Sequence, residues 1–186
     1  MVFIPTENRL GLPPIGSVVV SGTDTNAQVG QDPLYGKAVG LGEIIRGVDP
    51  TLGGGEFVYL VGVASTVVGS LVSWDPVKAT TTLSPNVAKP RLPFAVAMAA
   101  TTAHCYGWYQ IAGAAAISKV TGVVIKPGVP IYLTSTAGSI TGATASGKEV
   151  IAAITVGTTA NSAATTVTVL INRPHGQAVQ GIAGGD

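Results

Sequence analysis

The chain has 186 residues, one cysteine and a formal net charge of +1. A chain of this length can bury a hydrophobic core in one domain, and a single thiol excludes both an internal disulfide framework and a cysteine-ligated zinc cluster. Charged residues make up 10% of the sequence, compared with about a quarter in ordinary soluble domains, so we expect a partner to cover part of the surface.

Glycine and proline are frequent, and valine, threonine, serine and alanine are abundant. This composition favours short strands joined by turns over long helices. The predicted fold class is all-β, a compact sandwich or barrel of roughly eight to ten short strands with an extended N-terminal arm and little helix. We expect three parts, which are the arm at residues 1–35, the β domain at residues 36–175 and a C-terminal tail at residues 176–186.

The arm is predicted to be extended because its prolines and glycines prevent a helix and interrupt strand ladders. One short strand is predicted within it, at residues 17–20. Such an arm has little core of its own, so its apolar side chains are expected to contact a partner, and they are Val2, Phe3, Ile4, Leu10, Leu12 and Ile15. An arm of this kind can add a strand to the edge of a neighbouring sheet.

The domain itself shows regularly spaced strand and turn patterns. Strands are predicted at residues 37–45, 56–64, 69–74, 94–98, 106–112, 122–125, 130–133, 150–156 and 165–172. Turns are predicted at residues 53–55, 126–128, 137–138 and 146–147. Residues 75–91 contain three prolines, which indicates a loop or a weak edge strand. Two alanine-rich pieces, residues 95–103 and 112–116, are each long enough for a short turn of helix.

The predicted strand at residues 106–112 differs from the others because it carries large apolar groups on both faces. With a period of two, Tyr106 and Trp108 point to one side and Tyr109 to the other. A strand with one solvated face would alternate apolar with polar residues. We therefore expect this strand to be covered on both sides, by the core and by a neighbouring protein, with these three aromatic residues in the partner contact.

Membrane insertion and export are both disfavoured. The best apolar run, residues 57–72, contains glycine, serine and threonine and is shorter than the roughly 20 residues that a membrane helix needs. The N-terminal residues lack the basic segment and unbroken apolar segment of a signal peptide. We expect no membrane partner, and a protein made and used without export.

One segment matches the first part of a phosphate-binding loop. Residues 142–148 read GATASGK, but Glu149 stands where serine or threonine would coordinate Mg²⁺, and a strand rather than a helix is predicted to follow. A carboxylate at this position would repel phosphate. The segment therefore predicts a β-turn at residues 146–147, with no nucleotide cofactor.

Other catalytic or binding constellations are missing from the sequence. His104 and Cys105 are adjacent, so in a strand they point to opposite faces, and His175 lies far along the chain. The carboxylates are scattered, and among the basic residues only Lys89 and Arg91 are close together. The sequence therefore predicts no enzyme, no metal site, no cofactor and no nucleic-acid partner. The alternative use of Tyr106, Trp108 and Tyr109 is an exposed aromatic platform for carbohydrate.

The chain resembles small virion structural proteins of tailed bacteriophages from about residue 36 to residue 177. The resemblance lies in the segments GEFVYLVGV, VSWDP, PFAVAMAAT, CYGWYQIAG and INRPHGQ, and is most specific in YGWYQIAGAAAI and INRP. It implies a head-associated decoration (cement) protein that is assembled in the host cytoplasm and lies on the capsid surface. The implied partners are the major capsid protein and copies of the chain itself, with a homotrimer favoured. The alternative is a head-fibre or tail component that binds carbohydrate on the host surface.

Overall fold

The computed structural model describes residues 4–6, 15–16, 18–20, 40–103 and 105–177. None of these residues lies in a helix, and the predicted all-β class is confirmed. The strands are β1 (Ile4–Pro5), β2 (Val18–Val20), β3 (Ile44–Asp49), β4 (Gly53–Val61), β5 (Leu71–Trp74), β6 (Thr81–Leu83), β7 (Phe94–Ala97), β8 (Cys105–Ser118), β9 (Pro130–Leu133), β10 (Ile140–Thr141), β11 (Glu149–Thr155) and β12 (Thr166–Gly176).

All of these strands belong to one continuous antiparallel sheet with an open path. The main order is β1, β3, β4, β8, β12, β11, β9, β10, and the β5–β6–β7 group branches from β8 through β7. Two isolated bridges, Val61 with Thr80 and Lys119 with Ile140, turn the sheet back on itself. Because of this curling, the strands cover one another without a second, separate sheet.

Strand β8 is the centre of the sheet. One of its edges pairs with β4, and the other pairs successively with β2, β7 and β12. The register with β4 shifts between Glu56 and Phe57, which places a bulge in β8 close to Gly113. Gly113 has φ +100°, and a Cβ atom there would collide with the carbonyl oxygen of Gly54. Only glycine meets both conditions without strain.

Three hydrophobic clusters fill the spaces between the curled parts of the sheet. The first lies under β3, β4 and the start of β8 and includes Ile15, Phe57 and Trp108. A second, on the opposite face of β4 and β8, includes Leu60 and Tyr109. The third and largest lies among β5, β7, β8, β9, β10, β11 and β12. Residues 57–61 of β4 and residues 105–111 of β8 are therefore buried on both faces by the chain itself.

Several predicted elements are confirmed and several are wrong. The strand at residues 130–133 and the turns at 137–138 and 146–147 are as predicted, and the turn predicted at 126–128 is found at 127–128. The turn predicted at 53–55 is wrong, because those glycines begin β4 and the turn lies at 50–52 instead. There, the Asp49 carboxylate accepts hydrogen bonds from the backbone N–H groups of Thr51 (2.8 Å) and Leu52 (2.9 Å).

The remaining corrections concern alanine-rich and short apolar pieces. The possible helical turns are wrong, because residues 95–97 belong to β7 and residues 112–116 to β8. Residues 122–125 form no strand and contribute only a single bridge from Ile125 to Ala160.

Candidate functional site

The three aromatic residues predicted to contact a partner are instead part of the chain's own core. Tyr106, Trp108 and Tyr109 have exposed fractions of 5%, 1% and 0%. The ring of Tyr59 lies 4.9 Å from that of Trp108 and 6.2 Å from that of Tyr106. Residues 105–111 of β8 are covered on both sides as expected, but two hydrophobic clusters of the chain's own side chains supply the cover. The partner-contact prediction for these residues is therefore wrong, and they offer no exposed carbohydrate platform.

Tyr109 shows how completely this interior is closed. Its hydroxyl lies 3.0 Å from the hydroxyl of Thr101, which is also buried. Desolvation by burial raises the pKa of Tyr109, and the hydrogen bonds with Thr101 and Thr81 only partly oppose this effect. A phenol in this environment stays neutral and has a structural role.

The arm residues divide into three groups. Ile15 is fully buried beneath β3, where a Cβ atom on Gly47 would lie 2.7 Å from its Cδ1. The expectation that a partner covers Ile15 is therefore wrong. Ile4 is 56% exposed and pairs with Val48 in the sheet. Val2, Phe3, Leu10 and Leu12 lie outside the described residues.

An uncovered sheet surface extends across β1, β3, β4, β8, β12 and β11, and we call it the outer face. Cross-strand neighbours share a face of a sheet, so the register defines its members. They lie in three rows, which are Ile4, Val48 and Gly54; Arg46, Glu56, Ala112 and Asn172; and Ala114, Leu170 and Ile154. Every one of these residues is exposed or half-buried.

The centre of the outer face is a groove with two arginines and one glutamate. Arg173 Nη2 lies 2.9 Å from Glu56 Oε2, and Arg46 Nε lies 3.5 Å from Glu56 Oε1. The floor between them is mostly backbone, because it is formed largely by Gly47, Gly54, Gly55 and Gly113. The groove has a volume of about 500 Å³ and carries one more positive than negative charge. We call it the arginine–glycine groove.

The backbone of Arg173 is held in an unusual conformation. Its φ is +51°, and in this part of the sheet β12 carries extra residues relative to β11, between Ile171 and His175. His175 Nδ1 lies 3.3 Å from the Arg173 carbonyl oxygen. The bulge re-aims the Arg173 side chain, which lines both the groove and an adjacent apolar pocket of about 200 Å³. This is the INRP segment that contributes to the phage resemblance.

The groups considered for catalysis are not brought together in the described part of the chain. Cys105 is buried with its Sγ 2.9 Å from the Thr102 hydroxyl, and His104 lies outside the described residues. Residues 4–6, 15–16, 18–20, 40–103 and 105–177 contain no group of three or more possible metal ligands. Lys148 follows the predicted turn at 146–147 and donates a hydrogen bond to Asn86 Oδ1 at 2.7 Å.

Sequence reasoning did not single out Arg46, Glu56 and Arg173. The segment IIRGVD offered no local signal, because its exposed positions combine Ile44 and Val48 with Arg46, so apolar and polar residues do not alternate along it. The contact between Glu56 and Arg173 joins residues 117 positions apart, and only the strand register brings them together.

Comparisons of the chain with protein-family models, with curated proteins and with solved structures find no match. Among the residues that the structure describes, no helix is long and apolar enough to span a membrane.

Proposed function

We propose that this chain is a non-catalytic virion structural protein that decorates and stabilises the head of a tailed bacteriophage. Its partners in this proposal are the major capsid protein and copies of itself, and the outer face is the surface that docks on the capsid. The phage assignment relies on the sequence resemblance in segments such as YGWYQIAGAAAI and INRP. The docking role is supported by the outer face.

The supporting observation is that apolar side chains of the paired strands β3, β11 and β12 lie uncovered on the outer face. Val48, Ile154 and Leu170 are 43%, 44% and 48% exposed. Full burial of such a side chain is worth about 1.5 to 3 kcal/mol, so covering the remaining half of all three contributes roughly 2 to 4 kcal/mol. Together with the low charge of the sequence, this surface is typical of a protein that is covered in its working state.

A docking surface of this kind suits a decoration protein for a thermodynamic reason. A protein that binds only the assembled lattice stabilises that lattice by mass action, in proportion to the logarithm of its concentration over its dissociation constant. Many copies on one head repeat this contribution at each site. The chain itself then needs no chemistry beyond shape, apolar area and a few charges.

The direct test is co-sedimentation with heads of the encoding phage that have been assembled without this protein. The variant Leu170→Asn with Ile154→Asn makes the outer face polar, and we expect it to bind heads at least tenfold more weakly. Val77→Asn is the matched control, because Val77 is 92% exposed and lies in a loop away from the outer face. Equal binding by the outer-face variant and the control would contradict the docking role.

Self-association is tested separately by light scattering on the purified chain. The proposal expects an oligomer, with a trimer favoured, at micromolar concentrations. A compact monomer would remove self-association from the proposal, while leaving the capsid contact to be decided by co-sedimentation.

The carbohydrate-binding alternative relied on Tyr106, Trp108 and Tyr109. Since these rings are buried, no observation favours that function here, and we do not propose it.

A further inference from the structure

We propose that the arginine–glycine groove binds a carboxylate side chain from an extended acidic segment of the partner protein. This inference rests on the proposed function, because it names the chemistry that the docking surface recognises. The groove lies in the middle row of the outer face, where Arg46, Glu56, Ala112 and Asn172 are cross-strand neighbours. A segment that covers the outer face must therefore pass over the two guanidinium groups.

The charge of the groove selects the class of ligand. Each guanidinium has five N–H donors in a planar fork that fits a carboxylate, and Glu56 can occupy only some of them. The side chains of Arg46 and Arg173 are 76% and 60% exposed, whereas that of Glu56 is 24% exposed. Unused donors therefore face outward while the single carboxylate lies lower, between them.

A singly charged ligand fits this arrangement better than a phosphate. The three side chains sum to one positive charge, which one incoming carboxylate neutralises. A phosphate group would bring about two negative charges close to the Glu56 carboxylate and would be repelled by it. Hence we infer an aspartate or glutamate of a protein partner and exclude a phosphate monoester such as a phosphorylated side chain.

The floor of the groove fits an extended main chain. Gly54 and Gly55 lie beside Gly113, so a partner backbone can approach without meeting side chains. The volume of about 500 Å³ lies within the range of roughly 300 to 1,000 Å³ that is common for binding sites. Asn172 lines the same groove, and its exposed amide can bond to main-chain groups.

A second recess extends the specificity beyond the carboxylate. The adjacent pocket of about 200 Å³ shares Arg173 with the groove and is otherwise lined by Trp74, Pro93, Phe94, Ile111 and Pro174. Its lining is apolar, so it suits a small apolar side chain close in sequence to the acidic one. The partner segment we infer therefore combines one aspartate or glutamate with an apolar residue nearby.

The guanidinium of Arg173 is oriented before any ligand arrives. The β12 bulge and the 2.9 Å contact with Glu56 limit the positions that this side chain can take. Less side-chain freedom is then lost on binding, which favours affinity. Arg173 is therefore the residue whose replacement should matter most.

The first test uses the full chain and two blocked heptapeptides, Gly-Ser-Asp-Gly-Val-Ser-Gly and its aspartate-to-asparagine counterpart. Binding is followed by NMR of the arginine Nε–Hε signals. We expect the aspartate peptide to shift the signals of Arg46 and Arg173 and to bind at least tenfold more tightly than the asparagine peptide. Equal binding of the two peptides overturns the inference, as does tighter competition by inorganic phosphate than by acetate.

Variants then connect the binding to the groove. Arg46→Gln with Arg173→Gln should lose the preference for the aspartate peptide, whereas Lys78→Gln with Lys126→Gln removes two other cations and should keep it. Arg173→Lys retains the charge but loses the planar fork, so it should bind the aspartate peptide about three- to tenfold more weakly than the wild type. Thermal melting is recorded for each variant to show that it folds. If the double variant does not fold, the Arg173→Lys result alone tests the inference. Unchanged binding by the folded arginine variants overturns the inference.

Co-sedimentation with phage heads separates this inference from the proposed function. If wild-type protein binds heads and the arginine variants bind equally well, the groove inference fails and the decoration role stands. If wild-type protein does not bind heads but retains its arginine-dependent preference for the aspartate peptide, the decoration role fails and the groove inference stands. Self-association that is lost in the arginine variants, with no peptide preference in the wild type, would identify a second copy of the chain as the occupant and overturn the inference.

Discussion

Replacing Gly113 by alanine tests the bulge of β8 that forms part of the groove floor. Gly113 combines a φ of +100° with a position where an added Cβ atom collides with the Gly54 carbonyl oxygen. Two other glycines provide matched controls. Gly53 has φ +81° but nothing within 4 Å of an added Cβ, and Gly54 has open space and no positive φ.

The expected losses follow from these two separate costs. A strained backbone conformation costs about 1 to 3 kcal/mol, and overpacking against a fixed backbone atom costs about 1 to 3 kcal/mol more. We therefore expect Gly113→Ala to lose roughly 2 to 6 kcal/mol of unfolding free energy. Gly53→Ala carries only the conformational cost, about 1 to 2 kcal/mol. Gly54→Ala should be neutral, or stabilising by up to about 1 kcal/mol.

Thermal unfolding of the three variants measures this order directly. For a chain of this size, 1 kcal/mol shifts Tm by about 2 to 4 °C, so Gly113→Ala should melt roughly 4 to 24 °C below the wild type. Gly54→Ala should have the highest Tm of the three variants, Gly53→Ala an intermediate Tm and Gly113→Ala the lowest. A Gly113→Ala protein that melts with the wild type would refute both the bulge geometry and the close approach of β4 to β8.

Three further substitutions test the arm and the buried phenol. In urea unfolding, Ile15→Ala should lose about 2 to 5 kcal/mol of unfolding free energy because the side chain is fully buried. Ile4→Ala, at an exposed site, should lose less than about 1 kcal/mol. Similar losses from both variants would place Ile15 outside the core. Tyr109→Phe should lose about 1 kcal/mol at pH 7, since it leaves the buried Thr101 hydroxyl without this partner. Because burial raises the folded pKa of Tyr109, stability linked to this group is full below about pH 10 and falls as the pH rises toward the folded pKa. The phenylalanine variant should lose less stability above about pH 10 than the wild type does, and equal losses would contradict the linkage.

Local sequence signals were sufficient for the fold class and for part of the element order. Turn residues such as those at 127–128 and 146–147 act within a few positions, so their conformation could be predicted without knowledge of the partner strands. The strand Pro130–Leu133 has the same advantage, since a turn precedes it and its branched side chains favour extended backbone.

Elements that depend on distant partners were harder to predict. The second half of β8 reads as alanine and glycine, and nothing local indicates a strand there. It is extended because residues 166–172 of β12, which lie 48 to 60 positions later in the chain, pair along residues 112–118. The glycines of β4 led to the same kind of error, since they allow close approach to β8 and do not form a turn.

The candidate site could not be predicted for a related reason. An aromatic pattern such as YGWY indicates burial but does not say whether the chain or a partner provides it. Here β4 provides it, which became clear only from the register between Val58 and Tyr109. The groove likewise depends on a pairing of Glu56 with Arg173 that sequence spacing does not encode.

Strand β8 also constrains the order in which the protein can fold during synthesis. Its neighbours along one edge range from β2, which begins at Val18, to β12, which ends at Gly176. The ribosome releases the N-terminal part first, so β4 and β8 emerge well before β12 has been made. Residues 112–118 of β8 then lack their last neighbour until residues 166–172 of β12 have left the ribosome. A sheet with such distant pairings folds slowly, within about milliseconds to seconds. The docking through the outer face that we propose must follow this step, because β12 supplies Leu170 and Arg173.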